Sequence, residues 1–325
     1  MQRKNVLVLS AGRRVSLVRG FMDAVAQYNG CVYAADLKPE LSSACQVADK
    51  NIVLPHCLAP EFIPQLMHVC AEKNIGLVVP TIDTELQVLS TSRSEFENVG
   101  TSVIVSDDEV IKLCRDKRKT AAFFERIGLE TPELFDKNSI EFPVLVKPYD
   151  GSLSSGVVYV NDRNSLTSEI LENEKNIYCQ YIDPEHHAEF TVDMYFDRDA
   201  VLRCVVPRQR LEVRGGEVAK AMAVKNGLVE KLFDCFANIG GFRGCVNIQL
   251  FLQKQSSNCW AIEINPRFGG GYPLTRLTGA NFEKWLLDEY LGGKRVDSFH
   301  DWQDRLIMLR YDDEVLVDGR DVFHF

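Results

Sequence analysis

The first hundred residues alternate short apolar runs with amphipathic stretches: NVLVLS, VSLVRGFMDAVAQY, CVYAAD, NIVLP, EFIPQLMHVCAEKN, GLVVP and TSVIVS. A short, wholly apolar run suits a strand buried on both faces, and apolar residues recurring every three or four positions suit a helix with one buried face. The alternation predicts βαβ units, and therefore a parallel sheet wound in Rossmann fashion. Ligands of such sheets sit at the carboxyl ends of the strands. Those ends carry SAGRR (residues 10–14), DLK (36–38) and PTIDTE (80–85). SAGRRVS has a single glycine, too few for the dinucleotide fingerprint, which argues against NAD.

From Asp107 the character changes. DDEVIKLCRDKRKTAAFFERIGLETPE reads as one helical segment closed by Gly128 and Pro132. A strand (FPVLVKP), a loop (YDGSLSSG), a strand (VVYV) and a helix (NSLTSEILENE) then form a small α+β lid. Beyond IYCQYI come long strand-like runs, a helix over 227–239, the strand pair CVNIQLFLQ and CWAIEINP, and the helix NFEKWLLDEYL. In the last 25 residues RLIMLRY and EVLV are expected as one or two strands completing the central sheet. The expected divisions are 1–106, 107–182 and 183–325.

A net charge of −9 argues against nucleic acid as a partner, so an anionic ligand has to be held by a local basic pocket. No stretch offers the roughly 20 apolar residues of a membrane span, and the expected location is cytoplasmic. The ten cysteines are scattered with no C-x-x-C pair, and Cys31, Cys179, Cys204, Cys245 and Cys259 fall in strand-like runs; buried free thiols are expected.

The chemistry concentrates in AIEINPRFGGG, residues 261–271. On an extended chain Ala261, Glu263, Asn265 and Arg267 share one face, while Ile262 and Ile264 go to the core. Oxygen donors suit Mg²⁺ and an adjacent guanidinium suits phosphate or carboxylate, so this strand end reads as a metal–phosphate site. Gln249, inward-facing in VNIQLFL, and Glu263 need partners, which one Mg²⁺ or a buried hydrogen-bond network would supply. Lys147 ends a strand before a loop with Gly151, Ser152, Ser154, Ser155 and Gly156, whose N–H groups can turn toward ATP phosphates; a solvated turn is the plainer alternative. The backbone at Gln180, Tyr181 and Ile182 suits an adenine edge, and Glu189 suits ribose hydroxyls. His186 and His187 point apart and are left at the surface. Arg208, Arg210 and Arg214 follow a strand, and at least one, Arg210 first, is expected on the acceptor carboxylate or acyl phosphate. Asp83 and Glu85 either bind an amine or open a helix.

In this order the residues resemble the ATP-grasp superfamily, and within it the carbamoyl phosphate synthase-like ligases. The resemblance covers almost the whole chain: Lys117 with Thr120, Lys147 with DGSLSSG, residues 180–182, Glu189, and Gln249 with Glu263 and Asn265. It implies an α/β and α+β ATP-grasp fold: a Rossmann-like pre-ATP-grasp domain, a lid subdomain, and a central antiparallel-sheet subdomain bearing the metal and phosphate site. It implies ATP and Mg²⁺ (or Mn²⁺) as cofactors. Lys117 and Lys147 would hold phosphates, and Glu189 the ribose. Gln249, Glu263 and Asn265 would hold metal, and Arg267 the transferred phosphoryl group or the carboxylate receiving it. Gln249 stands where many relatives have an acid, and Gln180 where a glutamate is commoner. The implied activity joins a small carboxylate, activated as an acyl phosphate, to an amine, in a possible homodimer. The alternatives are a carbamoyl phosphate synthase-like subunit acting with a partner and a non-catalytic ATP sensor.

Overall fold

The computed structural model describes residues 3–151 and 155–322. Five parallel strands, β1 (Asn5–Val8), β2 (Val32–Asp36), β3 (Lys50–Val53), β4 (Ile75–Val79) and β5 (Ser102–Val103), lie in the order β3-β2-β1-β4-β5. They are connected through α1 (Val15–Val25), α2 (Ser43–Val47), α3 (Phe62–Glu72) and α4 (Asp83–Asn98). Side chains alternate as the pleat requires: Val6 and Val8 enter one core, and Leu7 enters another with Phe62 and Leu89. The strand order reverses between β1 and β4, which opens a crevice at their carboxyl ends. Residues 10–14 and 80–83 form its two lips.

The helical segment after Asp107 is two helices, α5 (Asp108–Arg115) and α6 (Lys117–Arg126), not the one expected. Asp116 between them is extended, and its carboxylate accepts from the Arg118 N–H as the N-cap of α6. The small sheet contains β6 (Leu134–Phe135), β7 (Val144–Pro148), β8 (Val158–Val160) and, after α7 (Ser168–Glu172), β9 (Asn176–Gln180). Its order is β6-β9-β7-β8, and Ile140, Val144, Val146, Val160 and Tyr178 give it a core of its own.

The central sheet is antiparallel throughout. Its members are β10 (His187–Phe196), β11 (Leu202–Arg214), β12 (Glu217–Ala223), β13 (Gly244–Gln253), β14 (Cys259–Asn265) and β15 (Ile307–Leu309), ordered β14-β13-β10-β11-β12-β15. Helices α8 (Leu228–Phe236), α9 (Tyr272–Leu277) and α10 (Phe282–Tyr290) complete the body. RLIMLRY supplies β15, but EVLV forms no strand: Leu316 is 91% exposed, so no surface there buries an apolar face.

The register of β14 corrects the expected face assignment. Gln249 pairs with Glu263 and Leu250 with Ala261, so Ile262 is an extra residue in the ladder. The bulge leaves Ala261 and Ile264 in the core and turns Ile262 into the cavity beside Glu263. Cys45, Cys57, Cys70, Cys179, Cys204, Cys245 and Cys259 are buried free thiols, whereas Cys31 precedes β2 and is exposed.

Candidate active site

Two cavities, of about 450 and about 550 Å³, meet between the three sheets and share Lys147, Glu189, Arg210, Phe251 and Ile262 in their walls. Their floor is the polar face of the central sheet. Thr191, Gln249 and Glu263 lie side by side across β10, β13 and β14, and Asp193, Asn247 and Asn265 form the next row. Strand pairing, rather than sequence proximity, makes this one surface.

At its centre the Asn265 Nδ2 donates to Glu263 Oε1 at 3.0 Å, which leaves the carboxamide oxygen facing away from that bond. Lys117 Nζ lies 3.8 Å from Glu263 Oε2 and donates to the Gly151 carbonyl. Burial pulls the Lys117 ammonium below its usual range, Glu263 opposes the shift, and Lys147 adds to it. Lys147 is 9% exposed. Two largely buried lysines thus line the cavity that Glu263 also lines, with Lys117 the nearer to its carboxylate. Ser155 and Gly151 line the same cavity, Gly156 sits beside them with φ +72°, and Ser154 lies outside the described residues. Thr120 stays out of the cavity: it is fully buried, and its hydroxyl donates to the Leu113 carbonyl at the end of α5.

The second cavity runs along Gln180, Tyr181 and Ile182, with Leu145, Phe251 and Ile262 as apolar walls. Gln180 is engaged already: its N–H donates to the Glu133 carbonyl at 2.8 Å and its side-chain oxygen accepts from the Glu133 N–H at 3.3 Å. Between the cavities Glu189 pairs with Arg210 at 3.1 Å. Burial raises the Glu189 carboxyl above the usual carboxylate range, Arg210 restrains it, and Glu263 adds to the rise. Arg210 Nε is buried with no hydrogen-bond partner among the described residues. His187, expected at the surface with His186, is half-buried, its ring 5.0 Å from that of Trp260.

The end toward the leading sheet holds Arg14, Asp83, Arg208, Glu217, Arg267 and residues 269–271. Arg208 is 1% exposed and forked onto Asp193 at 2.8 and 2.9 Å, while Thr275 donates to the same carboxylate. Arg214 does not join the cavity: it is exposed on the β11–β12 hairpin and paired with Glu212. Arg267 has three of its five N–H donors engaged. Its Nε and Nη2 donate to Asp83 at 3.0 and 2.7 Å and its Nη1 to the Phe268 carbonyl. Burial disfavours its charge, but Asp83 outweighs it and holds the guanidinium above its usual range. Glu85, fully buried, accepts from the Thr81 and Ile82 N–H groups and from Ser10, and so caps α4 from within.

Two family models match in tandem: residues 6–104 the PylC-like N-terminal domain, and residues 114–271 the ATP-grasp domain. The chain carries an ATP-grasp domain. It is 22% identical over 250 residues to a carbamoyl-phosphate synthase of Methanobrevibacter smithii, covering 70% of this chain and 67% of that one. Over 98 residues it is 35% identical to the 3-methyl-D-ornithine–L-lysine ligase of Methanosarcina mazei, covering 30% of this chain and 25% of that one. The biotin carboxylase domain of Hydrogenobacter thermophilus 2-oxoglutarate carboxylase, solved with MgADP, ADP and bicarbonate, superimposes with a TM-score of 0.73 at 17% identity. That superposition covers 94% of this chain and 74% of that domain.

The donor set of this ATP-grasp site fits Mg²⁺ in one mode only. Among the described residues no cluster of three His, Cys, Asp or Glu side chains forms a self-sufficient cage. One carboxylate with two carboxamide oxygens suits a cation that keeps waters and shares its shell with phosphates, as Mg²⁺ does. Three participants escaped sequence reasoning. Arg14 was visible only within the ligand-bearing strand end SAGRR and not singled out there, Asp193 is one polar residue in an otherwise apolar strand, and Thr275 lies in a segment with no motif.

Proposed function

We propose that this chain is an ATP- and Mg²⁺-dependent ligase that activates a small carboxylate as an acyl phosphate and joins it to an amine. The observation that carries the reading is the polar patch of Gln249, Glu263 and, in the next row, Asn265, which shares a cavity with Lys117 and Lys147. The larger cavity suits a nucleoside, with Ile262 and Phe251 against the base, the Tyr181 and Ile182 backbone at its edge, and Glu189 within reach of the ribose. The smaller one then takes the phosphates at the lysines and the acceptor near Arg14 and Arg208.

An acceptor carboxylate oxygen attacks the γ-phosphorus, the bond to ADP breaks, and an acyl phosphate forms. A deprotonated amine then adds to the acyl carbon and inorganic phosphate leaves. The protein aligns the reactants and meets spreading negative charge with fixed cations. Lys117 and Lys147, poorly hydrated where they sit, do this with little reorganisation. Gln249, Glu263 and Asn265 would hold Mg²⁺, which would neutralise phosphate charge.

The test is ADP release from Mg-ATP with pooled amino acids and small carboxylates, followed by mass spectrometry. A pool-dependent release, with a product one water lighter than the sum of two components, supports the ligase. Glu263→Gln, which removes the site's one central carboxylate, is expected to lower that release by about a hundredfold or more without unfolding the chain. Turnover intact in Glu263→Gln, or no release from any pool, would sink the reading.

A further inference from the structure

Two arginines cross the boundary between the leading and central sheets in opposite directions. Arg14, at the start of α1, donates through Nη2 to the Thr81 carbonyl at 2.9 Å and through Nη1 to the Phe268 carbonyl at 3.2 Å. Arg267, just past β14, reaches back to Asp83 on α4 and shares the Phe268 carbonyl at 3.1 Å. Burial and the nearby Arg267 together lower the Arg14 guanidinium to about 10, with Glu217 and Asp83 opposing. Asp83, from the leading domain, thus pairs with Arg267 and also attracts Arg14.

Glu85 accepts from the Thr81 and Ile82 N–H groups just before α4, and the Asp83 side chain points to the cavity wall, 19% exposed, against a guanidinium 14% exposed. Fork-to-fork pairing fixes both the position and the plane of Arg267. An arginine without that partner has several rotatable bonds to order before it can meet an anion.

We propose that Asp83 is a positioning residue: it holds the Arg267 fork, from the leading domain, at the angle at which the transferred phosphoryl group meets it. The inference rests on reading the cavity as a nucleotide site. On it, the leading domain sets the geometry of phosphoryl transfer as well as the shape of the acceptor end. Two competing accounts make different predictions. If Asp83 only lowered local charge, its removal would tighten every nucleotide alike. If it were only a strut between domains, its removal would lower stability and leave nucleotide discrimination alone.

The experiment is calorimetric titration of ADP and of the non-hydrolysable analogue AMP-PNP, with Mg²⁺, into the wild type, Asp83→Ala, Asp83→Asn, Arg267→Ala and Asp83→Ala/Arg267→Ala, alongside melting temperatures. The ratio of AMP-PNP to ADP affinity is expected to fall roughly tenfold in Asp83→Ala relative to the wild type, since a misplaced group loses its contact steeply. The double variant should be no worse than Arg267→Ala, because coupled residues do not add. Asp83→Asn, which keeps an acceptor but loses half the fork, should fall between. An unchanged ratio, a uniform tightening of both nucleotides, or additive effects in the double variant would overturn the proposal. A wild type that binds neither nucleotide would instead refute the nucleotide reading beneath it.

Discussion

Glu283 is a carboxyl group with no access to water, on α10 where it meets α1 and α9. Tyr272 donates to its Oε2, Arg276 Nε lies 3.8 Å from its Oε1, and that oxygen has no hydrogen-bond partner among the described residues. Gly20 on α1 supplies the room, since a Cβ there would collide with Oε1. Burial raises the carboxyl to about 7, with Tyr272 and Arg276 restraining it and Asp23 adding slightly. The folded value lies above the unfolded one, so the stabilising contribution is complete at acid pH and is lost as pH rises through about 7. The loss at alkaline pH is on the order of 3 kcal/mol. Glu283→Gln, which cannot ionise, is expected to flatten the fall in melting temperature between about pH 4.5 and pH 7; an unchanged slope would show that Glu283 titrates alike in the folded and unfolded chain. None of this was legible in NFEKWLLDEYL, where Glu283 reads as an ordinary first-turn acid. A residue's burial depends on which helices pack against its own, and one-dimensional pattern does not record that.

At the level of elements the strands were legible and their local irregularities were not. Apolar runs announced β1 and β4, because a strand buried on both faces tolerates little else, and β2, β13 and β14 showed as apolar runs broken by polar or half-buried positions. The bulge at Ile262 left no mark in AIEINPR, and it alone decides that a hydrophobic wall, not a second core residue, stands beside Glu263. The break at Asp116 was masked by helix-forming residues on both sides, although an Asp before a basic first turn is an N-cap pattern. The glycine run after Arg267 has positional meaning of the same kind. A Cβ on Gly271 would strike Arg208 Nη1 and approach Val218 Cγ1 to 2.7 Å, whereas one on Gly270 meets nothing nearer than Glu217 at 3.5 Å. Arg208 cannot yield, being forked onto Asp193. Denaturant titration should therefore show Gly271→Ala destabilised by about 1–3 kcal/mol and Gly270→Ala changed far less. Equal stability of the two would mean that Arg208 is free to move.

Across the molecule, three sheets do not mean three independent bodies. One core runs from Val6, Val8, Leu77 and Val79 in the leading sheet, through Phe21 of α1 and Leu286 of α10, to Val192, Ile248 and Ile264 in the central sheet. Phe123 and Phe124 of α6 join it too, although the sequence groups them with the lid. Polar contacts follow the same seam: Tyr28 donates to Asp288, Arg276 pairs with Asp23, and Arg14 and Arg267 cross at the cavity. The small sheet is different, because its apolar cluster is separate and compact. Composition could announce all three sheets, but not which of them share a core, since that depends on faces that meet only in the folded chain. The consequence concerns stability, which is set unit by unit according to buried contacts. Amide exchange in β1, β10 and β13 should require global unfolding and proceed at a common rate, while β7 and β9 exchange faster through opening of the small sheet alone. Mg-AMP-PNP should then slow β7 and β9 more than β1, because Lys147 on β7 and Gln180 at the end of β9 line the cavities it would fill. Equal protection of β7 and β10 without nucleotide would show that the lid does not open on its own.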